Sequence, residues 1–212
     1  MTDVWSGRAD AYRGAVDQRE GEDLELLAAW AAGCVTALDV ASGGGHTARR
    51  LREAGLQVTT LDPAPGMGAD VLARAEDIPF ADSSFDVVTC RIAPHHFEDV
   101  HAAVEEMTRV AKRLVLVEDT LFVSEEVERA ERLRDPTHVR SYTEEEWGAM
   151  LAAAGLEVEE SRVHEKRRSA ADWLARTDTP PADAAEVLRL LAPYLHGGEY
   201  VDRKLLVKAR KR

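Results

Sequence analysis

Short apolar runs alternate along the chain with stretches in which apolar residues recur at helical spacing. "VTALDV" (35–40), "SFDVVTC" (84–90) and "RLVLVED" (113–119) are nearly continuous apolar runs rich in β-branched residues. Runs of this kind predict strands buried on both faces, as in a parallel sheet covered by helices. "LQVTTLD" (56–62), a short "ADVLARA" (69–75), "LEVEESRV" (156–163) and "YVDRKLLVKA" (200–209) predict further strands. Helices are predicted over "DLELLAAWAA" (23–32), "HTARRLREA" (46–54) and "HAAVEEMTRVA" (101–111). Four more follow in "SEEVERAERLR" (124–134), "TEEEWGAMLAAAG" (143–155), "ADWLAR" (171–176) and "PADAAEVLRLLAPYL" (181–195). Thr143 and Glu146 have the spacing of a capping box, and Gly55 and Gly155 close their helices. Strand–helix alternation of this order predicts an α/β fold.

Composition narrows the class. A chain of 212 residues with 45% hydrophobic and 31% charged residues is expected to form one domain. No window reaches the ~18 apolar residues of a membrane helix, and "MTDVWSGRAD" lacks a signal pattern, so a cytoplasmic location without membrane contact is expected. A formal net charge of −12 disfavours nucleic acid as a partner, the basic tail "RKLLVKARKR" notwithstanding. Two cysteines, Cys34 and Cys90, argue against a disulfide framework or a thiolate metal site, and no metal is expected.

Open parallel sheets bind ligands beyond the carboxyl ends of their strands. That rule selects Ala41–Gly45, Asp62–Pro63, Ala75–Asp77, Arg91–Phe97 and Glu118–Asp119. "GGGHTA" (43–48) fits the G-x-G-x-x-[GA] pattern of dinucleotide sites, and Asp62 follows Gly43 by 19 residues, where a carboxylate takes ribose hydroxyls. The same turn and carboxylate suit S-adenosylmethionine (SAM), with Gly43 and Gly45 allowing close backbone approach and Ala41 and Ser42 adding backbone contacts. The turn alone leaves both cofactors open.

The stretch "ARAEDIPFADSSFDVVTCRIAPHHFEDV" (73–100) discriminates. Together with "ALDVASGGGHTARRL" and "RLRDPTHVRSYTEEEW" (132–147), it resembles the class I SAM-dependent methyltransferases, in particular the small-molecule group of the ubiquinone and menaquinone biosynthesis enzymes. The resemblance spans roughly residues 12–160. It implies a Rossmann-like, seven-stranded, mostly parallel sheet with helices on both faces and an antiparallel last strand. It also implies a single domain with an N-terminal lid over about residues 1–22, carrying Tyr12, and cap contributions from about 120–145 and 164–199.

In the sites that the resemblance implies, SAM is the cofactor and a small molecule the acceptor. Asp62 and Pro63 hold the ribose end, the Ala75 backbone with Glu76 or Asp77 the adenine, and Arg91 and Ile92 the methionine end. His95 or His96 serves as a base near neutral pH, with His96 preferred, and His138, Arg140 and Tyr142 stand on the substrate side. Three departures from the family pattern stand out. Ala41 replaces the first turn glycine, Arg74 occupies a position commonly acidic or threonine, and "GADVLAR" (68–74) is shorter than the usual helix and strand. The expected function is methyl transfer from SAM to an O, N or C atom of a small acceptor. The alternatives are an NAD(P)-dependent oxidoreductase and a non-catalytic SAM-binding protein of the same fold.

Overall fold

The computed structural model describes residues 4–212. The apolar runs form β1 (Thr36–Val40), β2 (Gln57–Leu61), β3 (Phe85–Arg91) and β4 (Ala111–Thr120). β5 (Leu156–Ser169), a two-residue β6 (Leu195–His196) and β7 (Glu199–Lys211) complete one seven-stranded sheet in the order β2-β1-β3-β4-β7-β5, with β6 on β7. β2, β1, β3 and β4 pair in parallel, and β7 runs antiparallel to β4, β5 and β6. β7 is therefore the one reversed strand among the described residues, as the sequence implies.

Strand side chains alternate between two apolar layers. Leu38, Val88, Val115 and Val117 face one layer with Met107 of α5 (Val100–Val110) and Trp147 of α7 (Glu144–Ala153). Their neighbours Ala37, Val87, Leu114 and Leu116 face the other, with Leu27 of α3 (Glu22–Trp30) and Leu51 of α4 (His46–Glu53). Burial on both faces explains why these strands read as continuous rather than alternating apolar runs. The capping box at Thr143 forms as its spacing predicts.

The third strand is the main difference from the sequence reading. "ADVLARA" contributes only a parallel bridge between Val71 and Leu61. Asp70 accepts from the Thr60 amide (2.8 Å) and hydroxyl (2.8 Å), which brings the chain straight back onto the edge of β2. The segment is too short for a helix followed by a paired strand.

A separate apolar cluster lies towards the C-terminus. α6 (Glu125–Arg134), α8 (Ala170–Ala175) and α9 (Pro181–Leu190) contribute Val127, Trp173, Leu174 and Val187 to it, and Tyr200 of β7 closes it. At the other end of the chain, α1 (Val4–Arg13) and α2 (Val16–Arg19) lie in a segment that hydrophobic periodicity does not single out. No helix among the described residues is long and apolar enough to cross a membrane.

Candidate functional site

A cavity of about 550 Å³ opens beyond the carboxyl ends of β1, β2 and β3. One wall is the turn Ala41–Gly44 between β1 and α4. Asp62 at the end of β2 braces that turn: its Oδ2 accepts the Gly43 amide (2.9 Å) and its Oδ1 the Ala64 amide (2.9 Å). The carboxylate is thus buried, oriented by backbone donors, and on the cavity wall. Ala41 has φ +52°, in the left-handed region where glycine is at ease and a Cβ is strained. The glycine usual in this position has a conformational reason, and the alanine keeps the conformation.

Beneath the turn, Asp39 of β1 ties three elements together. Its Oδ2 accepts the Ala48 amide in the first turn of α4 (3.1 Å), and its Oδ1 accepts the Thr89 hydroxyl of β3 (2.9 Å). Complete burial pushes its carboxyl up to about 7.

The N-terminal segment forms the outer wall. Val4, Trp5, Tyr12 and Gln18 all line the cavity. α1 is seated by an apolar contact of Ala9, Trp5 and Tyr12 with Ala64 and Met67. The Gly66 amide donates to Ser6 Oγ (2.7 Å), Arg13 donates to the Gly66 carbonyl (3.0 Å), and His46 Nε2 meets the Tyr12 carbonyl (2.9 Å). On the glycine turn the approach is close at Gly44, where a Cβ would stand 2.8 Å from the Tyr12 carbonyl oxygen. Behind α2, Arg91 donates to Glu118 (2.6 Å) and to the Gln18 carbonyl (3.2 Å) and pairs with Asp23. This buried network fastens the segment to the strand ends.

The two adjacent histidines keep their rings 4.1 Å apart but take different hydrogen-bond partners. His96 lines the cavity. Its Nδ1 lies 3.0 Å from the Thr137 carbonyl, which can only accept, so Nδ1 carries the proton and Nε2 is the basic nitrogen. Burial, then the neighbouring His95, holds its imidazolium well below the usual range, so the ring is neutral at pH 7. His95 lies one layer deeper, with Nδ1 2.5 Å from Asp119 Oδ1. Burial pushes the Asp119 carboxyl up to about 7 and holds the His95 imidazolium down. The hydrogen bond between them carries one proton. Both histidines also line a smaller polar chamber of about 30 Å³, which shares Tyr12, Gln18, Ile92 and His96 with the large cavity.

Of the residues selected from sequence, Ala41, Ser42, Gly43, Asp62, Pro63, Ala75, Glu76, Arg91, Ile92 and His96 line the large cavity. Gly45, Asp77, His138, Arg140 and Tyr142 do not. Gly45 caps α4, its amide donating to the Ser42 carbonyl (2.8 Å). The turn from Arg74 to Asp77 leaves the Asp77 side chain in solvent while Glu76 stays on the wall, held by Arg74 at 3.1 Å. His138 turns away to Glu128 (3.1 Å), Arg140 pairs with Glu146, and Tyr142 packs on Trp147. Their neighbours Pro136, Thr137 and Val139 reach the cavity instead. The segment is the expected one, and the residues facing inward are neighbours of those selected. No spacing signal marks Thr137 or Gln18, because both reach the site through contacts distant in sequence.

Residues 38–115 match the model of a family described as a methyltransferase domain. The chain is 34% identical over 201 residues to the uncharacterized methyltransferase YcgJ of Bacillus subtilis, covering 83% of this chain and 79% of that protein. It superposes on the crystal structure of YcgJ with a TM-score of 0.80, at 28% identity, over 90% of this chain and 98% of that one. A demethylmenaquinone methyltransferase of Renibacterium salmoninarum is 37% identical over 94 residues, 38% of this chain and 40% of that enzyme.

Proposed function

The chain belongs to the class I SAM-dependent methyltransferases, and from that premise we propose that it methylates an O, N or C atom of a small molecule held between the cavity and the chamber behind it. SAM is its methyl donor. The observation that carries the reading of the site is the cavity itself: about 550 Å³, walled by a glycine turn, a backbone-oriented carboxylate and an N-terminal helix, with a neutral histidine on its inner side. The volume falls in the range of pockets that enclose a small ligand.

The donor set fits SAM. Asp62, oriented on the cavity wall by the Gly43 and Ala64 amides, is the carboxylate that takes the ribose hydroxyls. Gly43 and Gly44 present bare backbone, Ala75 and Glu76 border the adenine end, and Ile92 and Arg91 border the methionine end. SAM supplies a methyl group already activated on a sulfonium, so the protein's work is to position the acceptor and exclude water. Trp5 and Tyr12 cover the outer side and restrict solvent. His96 Nε2 takes the acceptor's proton where the acceptor carries one, and His95, held by Asp119, lines the chamber beside it.

Calorimetry with S-adenosylhomocysteine tests the cofactor site. Wild-type protein is expected to bind it saturably, and Asp62→Ala to weaken binding at least about tenfold, as expected when charge-assisted hydrogen bonds are lost. Equal affinity of the variant removes the ribose role of Asp62. On a methyl acceptor found by product mass spectrometry, His96→Asn keeps the donor to Thr137 and removes the base. It is expected to lower kcat about 10²-fold or more.

A further inference from the structure

Positive side chains gather at the small chamber. The protein carries a net charge of −12, yet Arg134, Arg168, Arg176 and Lys204 converge here, from α6, β5, the end of α8 and β7. Three carboxylates answer them. Glu131 takes Arg134 (3.1 Å), Asp17 takes Arg176 (2.5 Å), and Asp202 takes both Arg168 (2.8 Å) and Lys204 (2.8 Å). Asp17 Oδ2 also lies 3.9 Å from Arg168, and Asp119, bonded to His95 through Oδ1, is the fourth carboxyl nearby.

Two of the four cations are buried with N–H groups left unfilled. The Arg168 side chain is 6% exposed, and its Nε has no hydrogen-bond partner among the described residues. Lys204, at 2% exposure, has two acceptors for three N–H groups, the Thr120 hydroxyl (2.6 Å) and Asp202. The Arg134 guanidinium stacks on Trp173, 4.3 Å from the ring centre, which fixes it in place. A buried N–H group without an acceptor is costly unless a ligand or water supplies one.

Resting on the methyltransferase reading above, we propose that this chamber binds the carboxylate of the methyl acceptor. Its volume of about 30 Å³ holds roughly two water-sized groups, which matches the two oxygens of a carboxylate. A phosphate monoester would bring three free oxygens into the same space. His96 and Ile92 belong to both the chamber and the large cavity, so an acceptor anchored here places its remaining atoms at their junction. The methyl group then goes to an atom other than the anchored carboxylate.

The test uses the 212-residue chain saturated with S-adenosylhomocysteine and titrated with acid–amide pairs: acetate and acetamide, benzoate and benzamide, phenylacetate and phenylacetamide. At least one acid is expected to bind about tenfold or more tightly than its amide. Arg168→Met is expected to erase that preference while S-adenosylhomocysteine affinity stays within about twofold, which also reports that the variant is folded. Should Arg168→Met fail to fold, the wild-type acid–amide comparison and Lys204→Met carry the decision. Acids and amides binding alike, or neither binding, overturns the proposal, and so does phenyl phosphate binding more tightly than every acid. Failure of wild-type protein to bind S-adenosylhomocysteine at all overturns the cofactor assignment instead.

Discussion

Ala41 shows how one side chain records a backbone requirement. Its φ of +52° costs an L-residue with a Cβ on the order of 1 kcal/mol, partly offset because glycine loses more freedom on folding. Ala41→Gly is therefore expected to raise stability by about 0.5–1 kcal/mol in urea unfolding, with the m-value unchanged. An unchanged midpoint would mean that the turn holds alanine without strain. The departure from the family's glycine is legible in the sequence, but its cost is not, since φ is a property of the folded turn. The histidines divide the same way. Adjacency of His95 and His96 predicts different directions, and only the structure assigns Thr137 to one and Asp119 to the other.

At the scale of elements, β1, β3 and α4 are held in register by Asp39. With its carboxyl raised from the ordinary 3.8 to about 7, this group binds its proton more tightly folded than unfolded. The stability it contributes is whole below about pH 4 and is lost as pH rises to about 7. Asp39→Asn has no such titration. Its stability relative to wild type is expected to improve from about pH 5 to about pH 8, by up to ~1.4 kcal/mol per pH unit within the window. Urea unfolding at the two pH values checks the sign, and a constant difference refutes it. Most element positions follow from hydrophobic period alone, because a buried strand must be apolar on both faces. The third strand fails that logic. "ADVLARA" has a strand's composition, but Asp70 binds back to Thr60, and pairing stops after one bridge.

For the whole molecule, the cavity is complete only once the N-terminal helix has docked on the glycine turn. Gly44→Ala places a Cβ 2.8 Å from the Tyr12 carbonyl and must push α1 outward. It is expected to weaken S-adenosylhomocysteine binding about tenfold in calorimetry, with the urea midpoint close to wild type. Unchanged affinity would remove α1 from the binding wall. The sequence by itself determined the α/β sheet, the ligand edge at its strand ends, the glycine turn with Asp62, and the methyltransferase resemblance of the run from Ala75 to Phe97. These lie within single elements or just after them, where period and spacing carry the information. The tertiary structure alone decided that α1 walls the cavity, that Thr137 rather than His138 faces it, and that Arg134, Arg168, Arg176 and Lys204 meet in one chamber. Those residues come from different elements, and their meeting depends on how the chain turns back between them, which no local pattern encodes.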